Sequence, residues 1–446
     1  MATKALPPGP KGTLILGNLR EFRQERLGFF LRSAREYGDL VRFRFGPRRI
    51  IYLASHPDLI EQVLVTDAKH YIKHFGARLY KPVLGNGLVT SEGDFWLRQR
   101  RLSQPAFLKQ RVQGYAPMMT DLTERMLAEW SEGREVDVQF EFSTLTSQIA
   151  LKTLFGLEDP GDREAFTESL REAFDLMSEK IGAILKWPMW VPTRRNRRLK
   201  ASIAHLNRVV DGFIAAGKAR PPGNDLLSRL ISARDEDGTA MTDTQLRDEA
   251  MTLYLAGHET TALTLAWTWY LLARHPRVEA KLVEEWRGVL GSRSPTVEDL
   301  PKLTYTEAVI TEAMRVYPPV YLIGREATKD LELGGYRVAK GVTIFIAQWV
   351  SHRDPRYFPD PEEFRPERWE GGLAQKLPKY AYYPFGGGPR VCIGNTFALM
   401  EAALLLVTVG QRYRFTYDES RPPPELNPQI TLMPLHGIPA VLRRRA

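Results

Sequence analysis

The sequence holds a single cysteine, Cys392, among 446 residues. One thiol cannot close an internal disulfide, which excludes the disulfide-stapled secreted scaffolds. It also excludes iron–sulfur clusters and multi-thiolate zinc sites, since each needs several cysteines. No stretch of about 20 consecutive apolar residues occurs, so no transmembrane anchor is expected. The opening Met-Ala-Thr-Lys-Ala-Leu-Pro-Pro-Gly-Pro lacks the apolar core of a signal peptide. A cytoplasmic protein is the expectation. Internal repeats, low-complexity tracts and zinc-finger or RNA-recognition signatures are also missing, so nucleic acid is not an expected partner.

What is present supports a large core: 43% of residues are hydrophobic and 10% aromatic. A prior of about 150 residues per domain would give roughly three domains, though one compact body of this length is also common. The net charge of +9 suits acidic partners. Part of it comes from the clusters Arg194, Arg195, Arg197, Arg198 and Arg443 to Arg445.

Residues 38–54 alternate and read as a β-hairpin turning at Gly46-Pro47, within a β-rich part reaching about 66. From about 93 to 320 the apolar spacing is helical. Strand character returns over 330–350, with Gly334-Gly335 as a turn. A helix is expected from about 393 to 411 and short strands after 412. One helix stands out. Thr242 and Gln245 form a capping-box pattern, and helical periodicity then runs to Arg274, just before Pro276. Such a helix would be about 48 Å long. Its middle, Ala256-Gly257-His258-Glu259-Thr260-Thr261, is polar and holds a glycine that costs about 1 kcal/mol relative to alanine. Local costs of this kind point to a functional reason.

Residues 385–394 read Phe-Gly-Gly-Gly-Pro-Arg-Val-Cys-Ile-Gly. Three glycines and a proline make a tight turn that can approach a flat ligand. The cysteine falls where a helix begins, and the helix dipole and Arg390 both favour a thiolate. A lone thiolate is a soft anionic metal ligand, and haem needs only one protein ligand.

Phe385-x-x-Gly388-x-Arg390-x-Cys392-x-Gly394 resembles the haem-binding loop of the cytochrome P450 superfamily. The resemblance covers nearly the whole chain, from Pro7 to the C-terminal strands. It implies a mainly α fold with small β-sheets, a triangular helical body enclosing haem b, and one catalytic domain over 1–446. By the same resemblance Cys392 is the iron ligand and Phe385 packs near its sulfur. Gly388 and Gly394 allow close backbone approach, and Arg390 pairs with a haem propionate.

Three further motifs follow in family order. Glu312-x-x-Arg315 resembles the family's structural E-x-x-R pair, whose Arg is expected to bond with the loop carrying Pro366-Glu367-Arg368-Trp369. Trp369 there departs from the family's usual phenylalanine. Trp96-x-x-x-Arg100 resembles the helix that meets the propionates, and Arg325 falls where another propionate partner is often found. Ala256 to Thr261 resembles the oxygen-activation motif. Ala256 and Gly257 would leave room for dioxygen, Thr260 would offer its hydroxyl there, and Glu259 would relay protons from solvent. His258 points about 100° away around the helix and reads as structural.

The implied reaction inserts one oxygen atom of O2 into a C–H or C=C bond of a lipophilic substrate. With no Gly-x-Gly-x-x-Gly motif in the chain, electrons from NAD(P)H would arrive through a separate ferredoxin- or flavodoxin-type partner. Such partners are commonly acidic, which suits the basic balance. A monomer is expected. Fatty acid is the first substrate expectation, with terpenoid, carotenoid or steroid next. Arg48 and Tyr52 on the hairpin could anchor a carboxylate. Leu88 and Val89 would lie on a loop near the haem, and residues 181–192 resemble a lid over the substrate channel, with a buried helix end or a segment that brushes a membrane as the alternatives. Two rival readings are a peroxide-driven peroxygenase or isomerase and a non-catalytic haem gas sensor. The acid–alcohol pair Glu259–Thr260 favours neither.

Overall fold

The computed structural model describes residues 6–445 except 157–165, 167, 168, 171, 174, 178–186 and 222. Contacts divide the chain into two compact units. One joins Met1–His74, Met119–Ser143 and Thr260–Ala446; the other joins Phe75–Met118 and Thr144–Glu259.

The first unit holds the strands. Five form a mixed sheet in the order Leu40–Phe45, Arg49–Ala54, Thr343–Ile346, Ile323–Ala327, Tyr71–Lys73. The expected hairpin is there: Phe45 faces Arg49 across a turn with Gly46 at φ 69°. Arg49–Ala54 then runs parallel to Thr343–Ile346, and the other pairings are antiparallel. Aromatic rings line one flank of this sheet, with Phe29 and Phe43 centroids 4.7 Å apart and Phe30 and Phe345 6.0 Å apart.

Strand character expected out to 66 stops at Ala54. Pro57 sits in the first helical turn, and His56 Nδ1 accepts the Asp58 N–H at 3.2 Å, so 57–66 turns helical. Likewise the 330–350 stretch ends as a strand at Ile346, and Gln348–Ser351 is helical. The Gly334-Gly335 turn joins Leu331–Leu333 to Tyr336–Val338 as expected. A short strand, Glu135–Asp137, interrupts the helical stretch because Pro439–Arg444 pairs with it, and Tyr413–Thr416 pairs on the other side.

The second unit packs helix on helix. Leu199, Leu206, Val210 and Ile214 recur at helical spacing along Arg194–Ala219 and are buried with Phe155, Phe166 and Leu227. Thr193 caps that helix by accepting the Asn196 N–H.

Four helices position the residues of interest: α1 (Gly93–Ser103), α2 (Asp243–Arg274), α3 (Thr304–Val316) and α4 (Asn395–Gly410). The capping box of α2 is reciprocal: Gln245 Oε1 accepts the Thr242 N–H at 2.9 Å and Thr242 Oγ1 accepts the Gln245 N–H at 3.3 Å. Among the described residues no helix is long and apolar enough to cross a membrane.

Candidate active site

The loop 385–392 closes on itself. The Cys392 N–H donates to Phe385 O at 3.0 Å and the Val391 N–H to Gly388 O at 3.1 Å. Gly388 lies at φ 66°, and a Cβ there would sit 1.9 Å from the backbone oxygen of Leu64. Only glycine meets both demands. Gly388→Val is therefore expected to cost at least about 2 kcal/mol, from left-handed strain and the backbone clash together. Chemical denaturation checks this. Gly394 ends the loop as the residue before α4, with no side chain to cap it. Cys392 stands two residues earlier, and its side chain is exposed. A free cysteine is usually buried; this one is presented, at the positive end of a helix dipole.

Glu312 and Arg315 on α3 are both fully buried. Glu312 Oε2 accepts Arg315 Nε at 2.8 Å and Oε1 accepts Arg315 Nη2 at 2.9 Å. The same carboxylate accepts Arg368 Nε at 2.8 Å, the Trp369 indole N–H at 2.8 Å and the Arg365 backbone N–H at 3.0 Å. Arg315 also donates to the carbonyls of His352, Pro361 and Glu363. The bond to the loop carrying Arg368 comes from Glu312 rather than from Arg315, whose guanidinium is taken up by Glu312 and by carbonyls ahead of that loop. Trp369 adds a donor that phenylalanine could not supply.

Along α2 the polar segment does not break the helix, which runs unbroken from Asp243 to Arg274. Its carbonyls are served from the side: Thr146 Oγ1 donates to His258 O at 3.0 Å and Thr264 Oγ1 to Thr260 O at 2.9 Å. A Cβ at Gly257 would meet no heavy atom within 4 Å, so close packing does not explain this glycine. His258 stacks on Tyr254 with ring centroids 4.5 Å apart and bonds Tyr254 O through Nδ1 at 3.0 Å. Burial pushes its imidazole down to about 4, so it is neutral at pH 7. This agrees with the structural reading of His258.

The other sequence candidates lie on several elements. Trp96 and Arg100 share a face of α1 in the second unit, Trp96 buried and Arg100 half-buried. Arg325 lies in a strand of the first unit, with Nη1 donating to Gly324 O at 3.1 Å. Leu88 is buried while Val89 beside it is 40% exposed. Arg48 and Tyr52 point to different surroundings. Arg48 is exposed at the hairpin turn, whereas Tyr52 is buried and donates its hydroxyl to Arg337 O at 3.0 Å. Of the segment 181–192, residues 181–186 lie outside the described residues; Trp187 and Trp190 are exposed.

One buried acid had no signal in the sequence. Glu401 on α4 is 1% exposed and bonds the hydroxyl of Thr261 on α2, next to Thr260. Burial pushes its carboxyl up to about 8, so it is protonated at pH 7. In a run of apolar residues such an acid reads as an interruption of α4. Only the packing of α4 against α2 shows its partner.

The family model for cytochrome P450 matches residues 7–439. Cyclooctatin synthase of Streptomyces melanosporofaciens is 38% identical, over 92% of this chain and 90% of that protein. Cyclooctat-9-en-7-ol 5-monooxygenase of the same organism is 38% identical over 86% of this chain and 84% of its own. Pentalenene oxygenase of Streptomyces avermitilis is 33% identical over 92% and 91%. Among solved structures, the haem domain of cytochrome P450DA superposes with a TM-score of 0.90 at 27% identity, covering 100% of this chain and 99% of that one. The retinoic acid-bound cyanobacterial CYP120A1 gives 0.87 at 25% identity, over 99% and 100%. The chain belongs to the cytochrome P450 family, with that family's mainly α fold and small β-sheets, and is a haem-dependent monooxygenase. The residues present fit haem. The donor set is one presented thiol at a helix start, on a loop whose glycines bring backbone close.

Proposed function

We propose that Cys392 is the single protein ligand of haem b in one catalytic domain spanning 1–446. The observation that carries this is the exposed lone thiol three residues before α4, on a loop closed by its own N–H to Phe385 O. Phe385 packs beside the sulfur, Gly388 and Gly394 keep the backbone close, and Arg390, Trp96, Arg100 and Arg325 hold the propionates. Haem, when bound, activates O2 so that one oxygen atom enters the substrate and the other leaves as water. Thr260 would supply a proton-donating hydroxyl for that chemistry, and Glu259 would relay protons to it from solvent. Ala256 and Gly257 keep the space beside them free of side chains. Glu312, Arg315 and Arg368 brace the fold and take no part in the chemistry.

The substrate we propose is a terpenoid. Fatty acid, first on sequence, yields because relatives at 38% and 33% identity are named for cyclooctat-9-en-7-ol and pentalenene. Arg48 at an exposed turn and Tyr52 committed to Arg337 O also offer a carboxylate little. Leu88 and Val89 line the substrate's place. Electrons come from NAD(P)H through a separate ferredoxin- or flavodoxin-type protein, whose acidic face the net charge of +9 suits. The protein works as a monomer.

Binding spectra of haem-loaded protein test the substrate. A Soret shift with cyclooctat-9-en-7-ol or pentalenene supports it; shifts with long-chain acids alone would overturn it. Thr260→Ala is expected to leave electron consumption largely intact while product formed per NAD(P)H falls about tenfold or more. Unchanged coupling would remove Thr260 from its role.

A further inference from the structure

The loop 85–90 is fastened to the first turns of α2 by two adjacent acids. Glu249 is fully buried. Its Oε2 accepts the Leu88 N–H at 3.1 Å and its Oε1 accepts Gln99 Nε2 at 3.2 Å. Asp248 Oδ2 accepts the Asn86 N–H at 2.7 Å. Gln99 is itself fully buried on α1, one residue before Arg100 and three after Trp96. The loop also presses on α2 sterically. A Cβ at Gly85 would sit 2.0 Å from Asp248 Oδ1, and one at Gly87 2.2 Å from Thr252 Oγ1 and 2.5 Å from Asp248 O. Within the loop, Thr90 Oγ1 donates to Gly85 O at 2.7 Å and the Ser91 N–H to Gly87 O at 2.9 Å. All of these groups belong to the second unit.

A buried acid is costly unless its oxygens are satisfied. Glu249 is satisfied by two elements distant in sequence, a backbone N–H of the loop and a side chain of α1. One carboxyl group therefore sets the place of both against α2. Leu88 is held inward through its N–H, and Val89, next to it, is left 40% exposed.

We propose that Glu249 is a positioning residue for substrate selection. By fixing loop 85–90 and α1 on α2, it sets how far Leu88 and Val89 reach into the substrate's place and so the bulk of lipophilic molecule accepted. This rests on the reading of Leu88 and Val89 given above.

Haem-loaded wild type, Glu249→Gln, Glu249→Leu and Gly87→Ala are compared by two readouts. The first is amide hydrogen exchange at Asn86 and Leu88. Glu249→Leu is expected to speed it by about tenfold or more, while Glu249→Gln, which keeps an acceptor oxygen for Leu88, stays close to wild type. The second is affinity for 4-phenylimidazole and for imidazole, read from the Soret shift. In Glu249→Leu and Gly87→Ala the bulky azole is expected to bind about tenfold differently from wild type, with imidazole unchanged, since only the larger ligand reaches the loop. Should Glu249→Leu fail to fold, Gly87→Ala carries both readouts, because it lifts the loop without touching the buried acid. Unmoved Leu88 exchange in Glu249→Leu and Gly87→Ala overturns the clamp. Faster exchange with both azole affinities unmoved overturns its role in selection. If wild type takes up no haem, the active-site reading fails, and exchange in the apoprotein still decides whether Glu249 holds the loop.

Discussion

Cys392→Ser is expected to abolish the red-shifted Soret band of the reduced, carbon monoxide-bound protein and to lower monooxygenase turnover by about 10²–10³-fold or more. That is the scale on which removing one preorganised electrostatic partner acts. The chain has no other thiol to take its place. Serine keeps the backbone N–H that closes the loop onto Phe385 O, so the loop should survive the change. What is lost is the soft, charge-donating sulfur that favours O–O cleavage. Absorbance of the reduced complex reads the ligand, and circular dichroism shows whether the fold is kept. A shifted band that persists in the serine variant would move the ligand away from Cys392. A wild-type haem spectrum without that band would weaken the oxygen-activation reading.

Arg315→Ala is expected to destabilise the protein by about 3–5 kcal/mol, the cost of leaving one partner of a buried ion pair uncompensated. Whole-domain stabilities are only about 5–15 kcal/mol, so the variant should be largely unfolded or scarcely recoverable at 37 °C. The loss exceeds a single ion pair, because Arg315 also serves the carbonyls of His352, Pro361 and Glu363. Glu312→Ala should behave similarly, since its carboxylate gathers Arg315, Arg368, Trp369 and the Arg365 N–H. The double variant Glu312→Ala with Arg315→Ala should lose less than the two single losses added, because no charge is stranded. Denaturant midpoints of the four proteins measure this. Additive losses would show that the two residues act independently.

The local chemistry was legible in the chain because its signals span only a few residues. The hairpin turn at Gly46, the Thr242–Gln245 box, the stop before Pro276 and the glycine-lined loop around Cys392 each depend on residues within a turn or a loop of one another. Glu312 and Arg315 were legible as an i to i+3 pair on one helix face. The strand boundaries were less so. Pro57 reads as a break, yet with His56 it starts a helix, which a reading of 38–66 as β-rich passes over.

Residue type and spacing in the sequence determined the family, the single thiol and the helix carrying Glu259 and Thr260. The tertiary structure alone decided which buried polar groups meet. Glu249 finds Leu88 and Gln99, 161 and 150 residues away, Glu401 finds Thr261, and Arg49–Ala54 finds its parallel partner Thr343–Ile346. It also turned Tyr52 inward, because that strand is interior in its sheet and is buried from Ile51 to Ala54 rather than alternating. The physical reason is common to these cases. A buried donor or acceptor must be satisfied, and the chain pattern marks the need without naming the distant group that meets it.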